Sequence, residues 1–195
     1  MLQENSARKS GATKRFMLSF PVHFLDKVNF LDQQWYSQNT LPWSIPAAWK
    51  HWLLDKGSLT QRLKSAYPGA FEVKVLHHDW GRPTADERHF LAMQERETAS
   101  IREVILVCNG EPRVFARSIL PATSLEGKNR QLLQLKNRSL GSFLFAQPDL
   151  ERGPIQLTRV HDDTDLLIWG RRSRFILDNK PLAVCEFFLP SLSGA

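Results

Sequence analysis

Glu186 stands in the run LAVCEFFLP, residues 182–190, where every other residue suits a buried strand. An unpaired carboxylate in such surroundings carries a heavy desolvation cost unless it is paired or protonated. Strand alternation puts Glu186 on one face with Leu182, Val184 and Phe188. A two-residue turn at Asp178-Asn179 would place Arg171 directly opposite Glu186. Such a pair fits a structural ion pair across a sheet, or a carboxyl group poised in a ligand cavity with Arg171 holding its charge. A second hairpin, ASIREVILVCNGEPRVFARSILP, turns at Asn109-Gly110. Alternation puts Arg102, Val104, Leu106 and Cys108 on one face, and a two-residue loop would set Arg102 opposite Arg117. Two like charges across a half-apolar face repel, and an anion between them would remove the conflict. The competing reading has both arginines reaching water or other carboxylates. Two helix starts, Ser58-Leu59 and Ser139-Leu140, add backbone N–H groups without intrahelical partners, which suit carboxylates and hydroxyls. A small anion held by arginine and helix ends, with a carboxyl group beside it, is the chemistry these residues could do.

The elements that must position these groups are legible in outline. LPWSIPAAWKHWLLDKG carries a helical apolar pattern ended by Gly57, and SLTQRLKSAYPG is a short helix with Ser58 and Gln61 in capping positions. FEVKVLHHDW alternates as a strand, with His77 and His78 on opposite faces and so poor joint metal ligands. GRPTADERHF reads as a turn region, SLEGKNRQLLQL as a helix, and RSLGSFLF as a second short helix with Ser139 as its cap. IQLTRV is strand-like, HDDTD is an acidic turn, and residues 168–190 form the second hairpin. Five or six strands, mostly in antiparallel hairpins, plus short helices make an α+β domain.

The 195 residues, 42% apolar and 24% charged, suffice for one core. Net charge is +6, but the Lys and Arg residues are dispersed, which argues against a nucleic-acid surface and allows an anionic small molecule. Cys108 and Cys185 lie in apolar runs and read as reduced, buried thiols, with no His/Cys cluster for a metal. The N-terminus, with Arg8, Lys9, Lys14 and Arg15 before FMLSFPVHFL, has a signal-peptide look. Pro21 and His23 break that run and no small-residue cleavage site follows, so the expectation is a cytoplasmic protein. No stretch is long and apolar enough for a transmembrane segment. Residues 1–40 are expected to be an N-terminal extension, partly disordered and with scattered aromatics that pack loosely on the body. Residues 41–195 form the domain.

The segments WLLDKGSLTQRL, IREVILVCNGEPRVFARSILP, SLGSFLF, WGRRSRF and KPLAVCEFFLP, in this order, resemble the chorismate pyruvate-lyase (chorismate lyase) family, which makes 4-hydroxybenzoate. The resemblance spans roughly residues 45–190. It implies a monomeric α+β single domain, a mostly antiparallel six-stranded sheet whose short helices and flaps enclose an internal ligand site. It also implies conversion of chorismate to 4-hydroxybenzoate and pyruvate without metal or cofactor, as the first committed step of ubiquinone synthesis in the cytoplasm. The family's ligand contacts fall on Arg102 and Glu186 and on the backbone amides of Leu59 and Leu140. Leu59 stands where Met is more usual, and Ser139 replaces a family Pro. Arg117 falls on the arginine that lines the family's inner cavity. A mechanism that fits these contacts sets Arg102 on the ring carboxylate with Leu140 N–H, Glu186 and Leu59 N–H at the C4 hydroxyl, and Arg117 on the enolpyruvyl carboxylate. Whether Glu186 acts as a base or only orients the hydroxyl stays open. An alternative from another class is a non-catalytic ligand-sensing domain of similar fold that binds a small aromatic carboxylate. The proline-broken 40 residues ahead of the domain do not suit the DNA-binding helices such sensors carry.

Overall fold

Two tight turns build the centre of the sheet. Asn109 (φ 52°) and Gly110 (φ 83°) join β3 (Ala99–Cys108) to β4 (Glu111–Pro121), and Asp178 (φ 55°) and Asn179 (φ 58°) join β7 (Leu167–Leu177) to β8 (Lys180–Phe188). Both pairs are of the kind that tolerates the left-handed backbone of a hairpin whose twist matches its strands. The computed structural model describes residues 28, 30, 31, 33–162 and 165–192. The basic N-terminal stretch, the apolar run after it and part of the HDDTD turn lie outside the described residues.

The sheet has eight strands, not six, and every pairing is antiparallel. The additions are two-residue strands with no periodicity to announce them: β1 (Tyr36–Ser37) and β5 (Glu151–Arg152). With β2 (Phe71–Gly81) and β6 (Gln156–His161) the order is β1-β6-β7-β8-β4-β3-β2, and β5 pairs with β7. Residues before 41 therefore reach the sheet, since Tyr36 pairs with Leu157 and Val28 and Phe30 are buried.

Helices cover both faces. On one side lie α1 (Ala47–Leu53), α2 (Leu59–Ala66) and α4 (Leu140–Leu144). Trp52, Leu53, Leu59 and Leu63 pack there with Val104, Leu106, Val114 and Phe188, and Leu140 and Leu144 with Leu120, Phe175 and Leu182. The expected helix in SLEGKNRQLLQL is a 3-10 helix, Gly127–Gln134, on this side. On the other side α3 (Ala85–Leu91) buries Leu91 against Ile101, Ile119 and Ala183. The expectation of a plain turn at GRPTADERHF is corrected here. Thr84 accepts from the Glu87 N–H while Glu87 accepts from the Thr84 N–H, a reciprocal cap that starts α3.

The first hairpin departs from simple pairing in one respect. Cys108 faces Glu111 and Val107 faces Pro112, but Leu106 faces Val114, so Arg113 is an extra residue in β4. Beyond this bulge every partner shifts by one, and Arg102 faces Ser118 while Arg117 faces Glu103. The second hairpin keeps its turn-set register, with Arg171 opposite Glu186.

Candidate functional site

Alternation along four strands sends Arg102, Val104 and Leu106 of β3, Ala116 and Ser118 of β4, Val184 and Glu186 of β8, and Arg171 and Phe175 of β7 to one cavity. Its roof is the start of α2, with Gly57, Leu59 and Thr60, and the start of α4, with Ser139, Leu140 and Gly141. Ser58 caps α2 through the Gln61 N–H at 3.4 Å, and Ser139 caps α4 through the Ser142 N–H at 3.2 Å. The two starts are tied by a 2.6 Å hydrogen bond between Thr60 Oγ1 and Ser139 Oγ. The cavity volume is about 40 Å³, a few waters on the scale where one needs roughly 10–15 Å³. Beyond Thr60, Val73 and Ser139 lies a wider outer cleft bordered by Lys64 and Arg138.

The cavity has two chemically distinct ends. At one, Arg102 is 1% exposed and donates through Nη2 to the carbonyls of Lys136 (2.9 Å) and Arg138 (3.0 Å). Its Nε has no partner, and no carboxylate pairs with it among the described residues. Burial disfavours its charge and pulls its pKa below the ordinary arginine value. An unneutralised buried guanidinium with a spare donor is suited to a carboxylate arriving from outside. Leu140, the first residue of α4, follows Arg138 by two positions and lines the same cavity.

At the other end Arg171, also 1% exposed, donates through Nε to Glu186 Oε2 at 2.6 Å and through Nη1 to the carbonyls of Trp52 (2.7 Å) and Asp55 (2.9 Å). Arg171 thus locks one oxygen of Glu186 and ties the sheet to the loop that launches α2 and Leu59. Asp55 is itself held. Burial raises its pKa, but hydrogen bonds from Arg62 and the Gly57 N–H outweigh that and leave it below the usual carboxylate value. Arg152, which the sequence reading did not single out, also lines this end. Its Nε donates to Ser173 Oγ at 3.0 Å and its Nη1 to the Asp55 carbonyl at 3.2 Å. Nothing in DLERGP distinguishes Arg152 from a surface arginine. Only the pairing of β5 with β7 brings it inward.

Four of the five site residues expected from the sequence, Arg102, Glu186, Leu59 and Leu140, line this one cavity. Arg117 does not. The bulge at Arg113 turns it to the opposite face, where Nε and Nη2 grip Glu87 at 2.7 and 3.1 Å and Nη1 reaches Glu103 at 2.6 Å. Burial alone would lower its pKa, but these two carboxylates outweigh burial and raise it. The supposed conflict between Arg102 and Arg117 does not exist, because the two never share a face. The Arg-Arg pair of WGRRSR divides likewise. Arg171 enters the cavity, whereas Arg172 lies on the far side, bound to Asp86 and Gln156 and stacked on Phe90 and Trp35.

Among the described residues no cluster of His, Cys, Asp and Glu could hold a metal, and no helix is long and apolar enough to cross a membrane. Both cysteines are free and buried, and desolvation pushes the Cys185 thiol up to about 12.

Residues 31–193 match the family model described as chorismate lyase. The probable chorismate pyruvate-lyase of Alcanivorax borkumensis is 43% identical over 149 residues, covering 76% of this chain and 72% of that protein. The probable chorismate pyruvate-lyase of Methylococcus capsulatus is 36% identical over 152 residues, 72% of this chain and 94% of that one. Among solved structures, a GntR-family transcriptional regulator from Bacillus cereus aligns with 63% of this chain and 94% of its own, at a TM-score of 0.48 and 12% identity. By the family match and these relatives, the chain belongs to the chorismate lyase family.

Proposed function

We propose that this protein converts chorismate to 4-hydroxybenzoate and pyruvate in the cavity described above. The observation that carries the reading is Arg102, a buried guanidinium without a carboxylate, in one cavity with Glu186. A ring acid with a hydroxyl at its far end matches these two groups. Arg102 forks the ring carboxylate and the Leu140 N–H assists it, while Glu186 and the Leu59 N–H engage the C4 hydroxyl.

Loss of the C4 hydrogen and rupture of the C3–O bond give an aromatic ring, a large driving force. In one path the C4 hydrogen passes to the enolpyruvyl methylene through a six-membered transition state as the C3–O bond breaks. The ether oxygen becomes the ketone of pyruvate, and the ring gains its last double bond. The protein then has to hold the side chain over C4 and stabilise charge on the departing oxygen. In the second path Glu186 takes the C4 proton and enolpyruvate leaves before ketonising. The 2.6 Å bond from Arg171 favours the first, because it engages one carboxylate oxygen of Glu186 and fixes the group in place to orient the hydroxyl.

Family membership also supports a monomer acting in the cytoplasm, supplying 4-hydroxybenzoate for ubiquinone synthesis and using no cofactor. The deciding experiment mixes purified protein with chorismate in a strong chelator and follows both products. Equal release of pyruvate and 4-hydroxybenzoate is expected. No turnover refutes the activity, and turnover only after a divalent ion is restored refutes the cofactor-free path.

A further inference from the structure

Chorismate carries a second carboxylate, on the enolpyruvyl ether next to the C4 hydroxyl, and Arg117 is not in the cavity to meet it. Four charged side chains line the cavity: Arg102, Arg152, Arg171 and Glu186. Arg171 is neutralised by Glu186, which leaves two guanidiniums, Arg102 and Arg152, for two carboxylates. Arg152 has no ion pair among the described residues. Its Nε and Nη1 are held by Ser173 and the Asp55 carbonyl, while its Nη2 has no hydrogen-bond partner there. It stacks against Phe175, 5.2 Å from the ring centre. Arg152 and Arg171 converge on one carbonyl, that of Asp55, so Arg152 stands at the Glu186 end. The ether carbon C3 adjoins C4, so a substrate whose C4 hydroxyl meets Glu186 carries its second carboxylate toward that same end.

The geometry points to Arg152 as the residue that holds the enolpyruvyl carboxylate, a second anion site at the opposite end of the cavity from Arg102. This rests on the chorismate reading of the cavity. It gives the departing group a fixed partner: as the C3–O bond breaks, charge grows on the enolpyruvyl fragment beside an anchored cation. The site is costly when empty. Burial, with the nearby Arg171 adding to it, pulls the Arg152 pKa down to about 10, a penalty that an incoming carboxylate offsets. It also separates substrate from product. Chorismate meets both arginines, whereas 4-hydroxybenzoate meets Arg102 alone.

The test compares two ligands by direct titration, without turnover. Benzoate has the ring acid only. 3-(1-Carboxyvinyloxy)benzoate adds the enolpyruvyl ether and its carboxylate. Wild type should bind the dicarboxylate more tightly, and Arg152→Gln should lose that gain while binding benzoate as before. Arg152→Lys, the milder change to the fold because it keeps the charge, should retain part of the gain. In turnover, kcat/KM for chorismate should fall by about 30-fold or more in Arg152→Gln, the size expected when one partner of a desolvated charge pair is removed. Equal affinity of wild type for the two ligands overturns the proposal. So does a uniform loss for both ligands in Arg152→Gln or Arg152→Lys, which marks a purely structural arginine. If wild type binds the dicarboxylate through Arg152 but does not convert chorismate, the activity fails and the anion site stands. If chorismate turns over and Arg152→Gln leaves kcat/KM unchanged, the activity stands and the anion site fails.

Discussion

Arg102 and Arg117 occupy neighbouring strands one register step apart and face opposite sides of the sheet. Arg117 is 7% exposed and bound to two carboxylates, while Arg102 is 1% exposed and bound to two carbonyls with no carboxylate. The same residue type therefore has two tasks. Arg117 fastens α3 and β3 to β4, and Arg102 keeps its charge available to the cavity.

Substitution should separate the two. Arg117→Met leaves Glu87 buried without its partner, a loss of about 3–5 kcal/mol, or roughly 10 °C in Tm for a domain of this size. The protein that remains folded should still bind 4-hydroxybenzoate. Arg102→Met should abolish most of the thermal shift given by 4-hydroxybenzoate, which at 100 times its Kd is about 2.7 kcal/mol in wild type. Melting curves of both variants, with and without ligand, check this. Retention of the ligand shift in Arg102→Met and its loss in Arg117→Met would reverse the assignment.

Glu186→Gln keeps an oxygen that can accept from Arg171 but cannot take a proton. If Glu186 only orients the hydroxyl, kcat should fall modestly, and a general base would cost about 100-fold or more. The tight Arg171 bond leads us to expect the modest loss. Glu186→Ala should behave differently, because it strands Arg171 in the core and should lower stability by about 3–5 kcal/mol. Urea melts beside initial rates distinguish the two effects.

Gly170 of β7 is paired with Thr158 of β6 on one side and Phe187 of β8 on the other. A Cβ there would come within 2.7 Å of Thr158 Cγ2 and 2.8 Å of the Phe187 ring. Gly170→Ala should therefore destabilise by about 1–3 kcal/mol, the usual cost of overpacking. Because Arg171 and Arg172 follow directly, the displaced strand should also raise KM. An unchanged urea midpoint would show that the three strands yield without cost.

His78 faces Arg102 across β2 and β3, and its Nε2 lies 3.1 Å from Ser100 Oγ. Burial first, then Arg102 and His77, hold its pKa below the ordinary histidine value, with Asp79 opposing. The unfolded chain then binds the proton more readily, so stability is fully present above about pH 6.5 and declines as pH falls through the folded pKa. His78→Gln should remove part of that decline between pH 7 and 5. Identical pH dependence in the variant and wild type would assign the decline elsewhere.

What the chain's local pattern settles on its own is what lies within reach of a turn or a cap. Asn109-Gly110 and Asp178-Asn179 close their hairpins, and Ser58 and Ser139 start their helices, as their types demand. Glu186 meets Arg171 because an uninterrupted pairing runs between them from a two-residue turn. Thr84 and Glu87 carried a readable cap, and α3 was legible there although Pro83 and the charges around it suggest a turn. Only the tertiary structure decided the rest. One extra residue at Arg113 reverses every face beyond it, since strand side chains alternate with a period of two, so Arg117 leaves the cavity that Arg102 keeps. Arg152 reaches the site through a two-residue strand and a carbonyl 97 positions away, that of Asp55. Contacts at that separation follow from how the layers pack, and no local pattern of residue types records them.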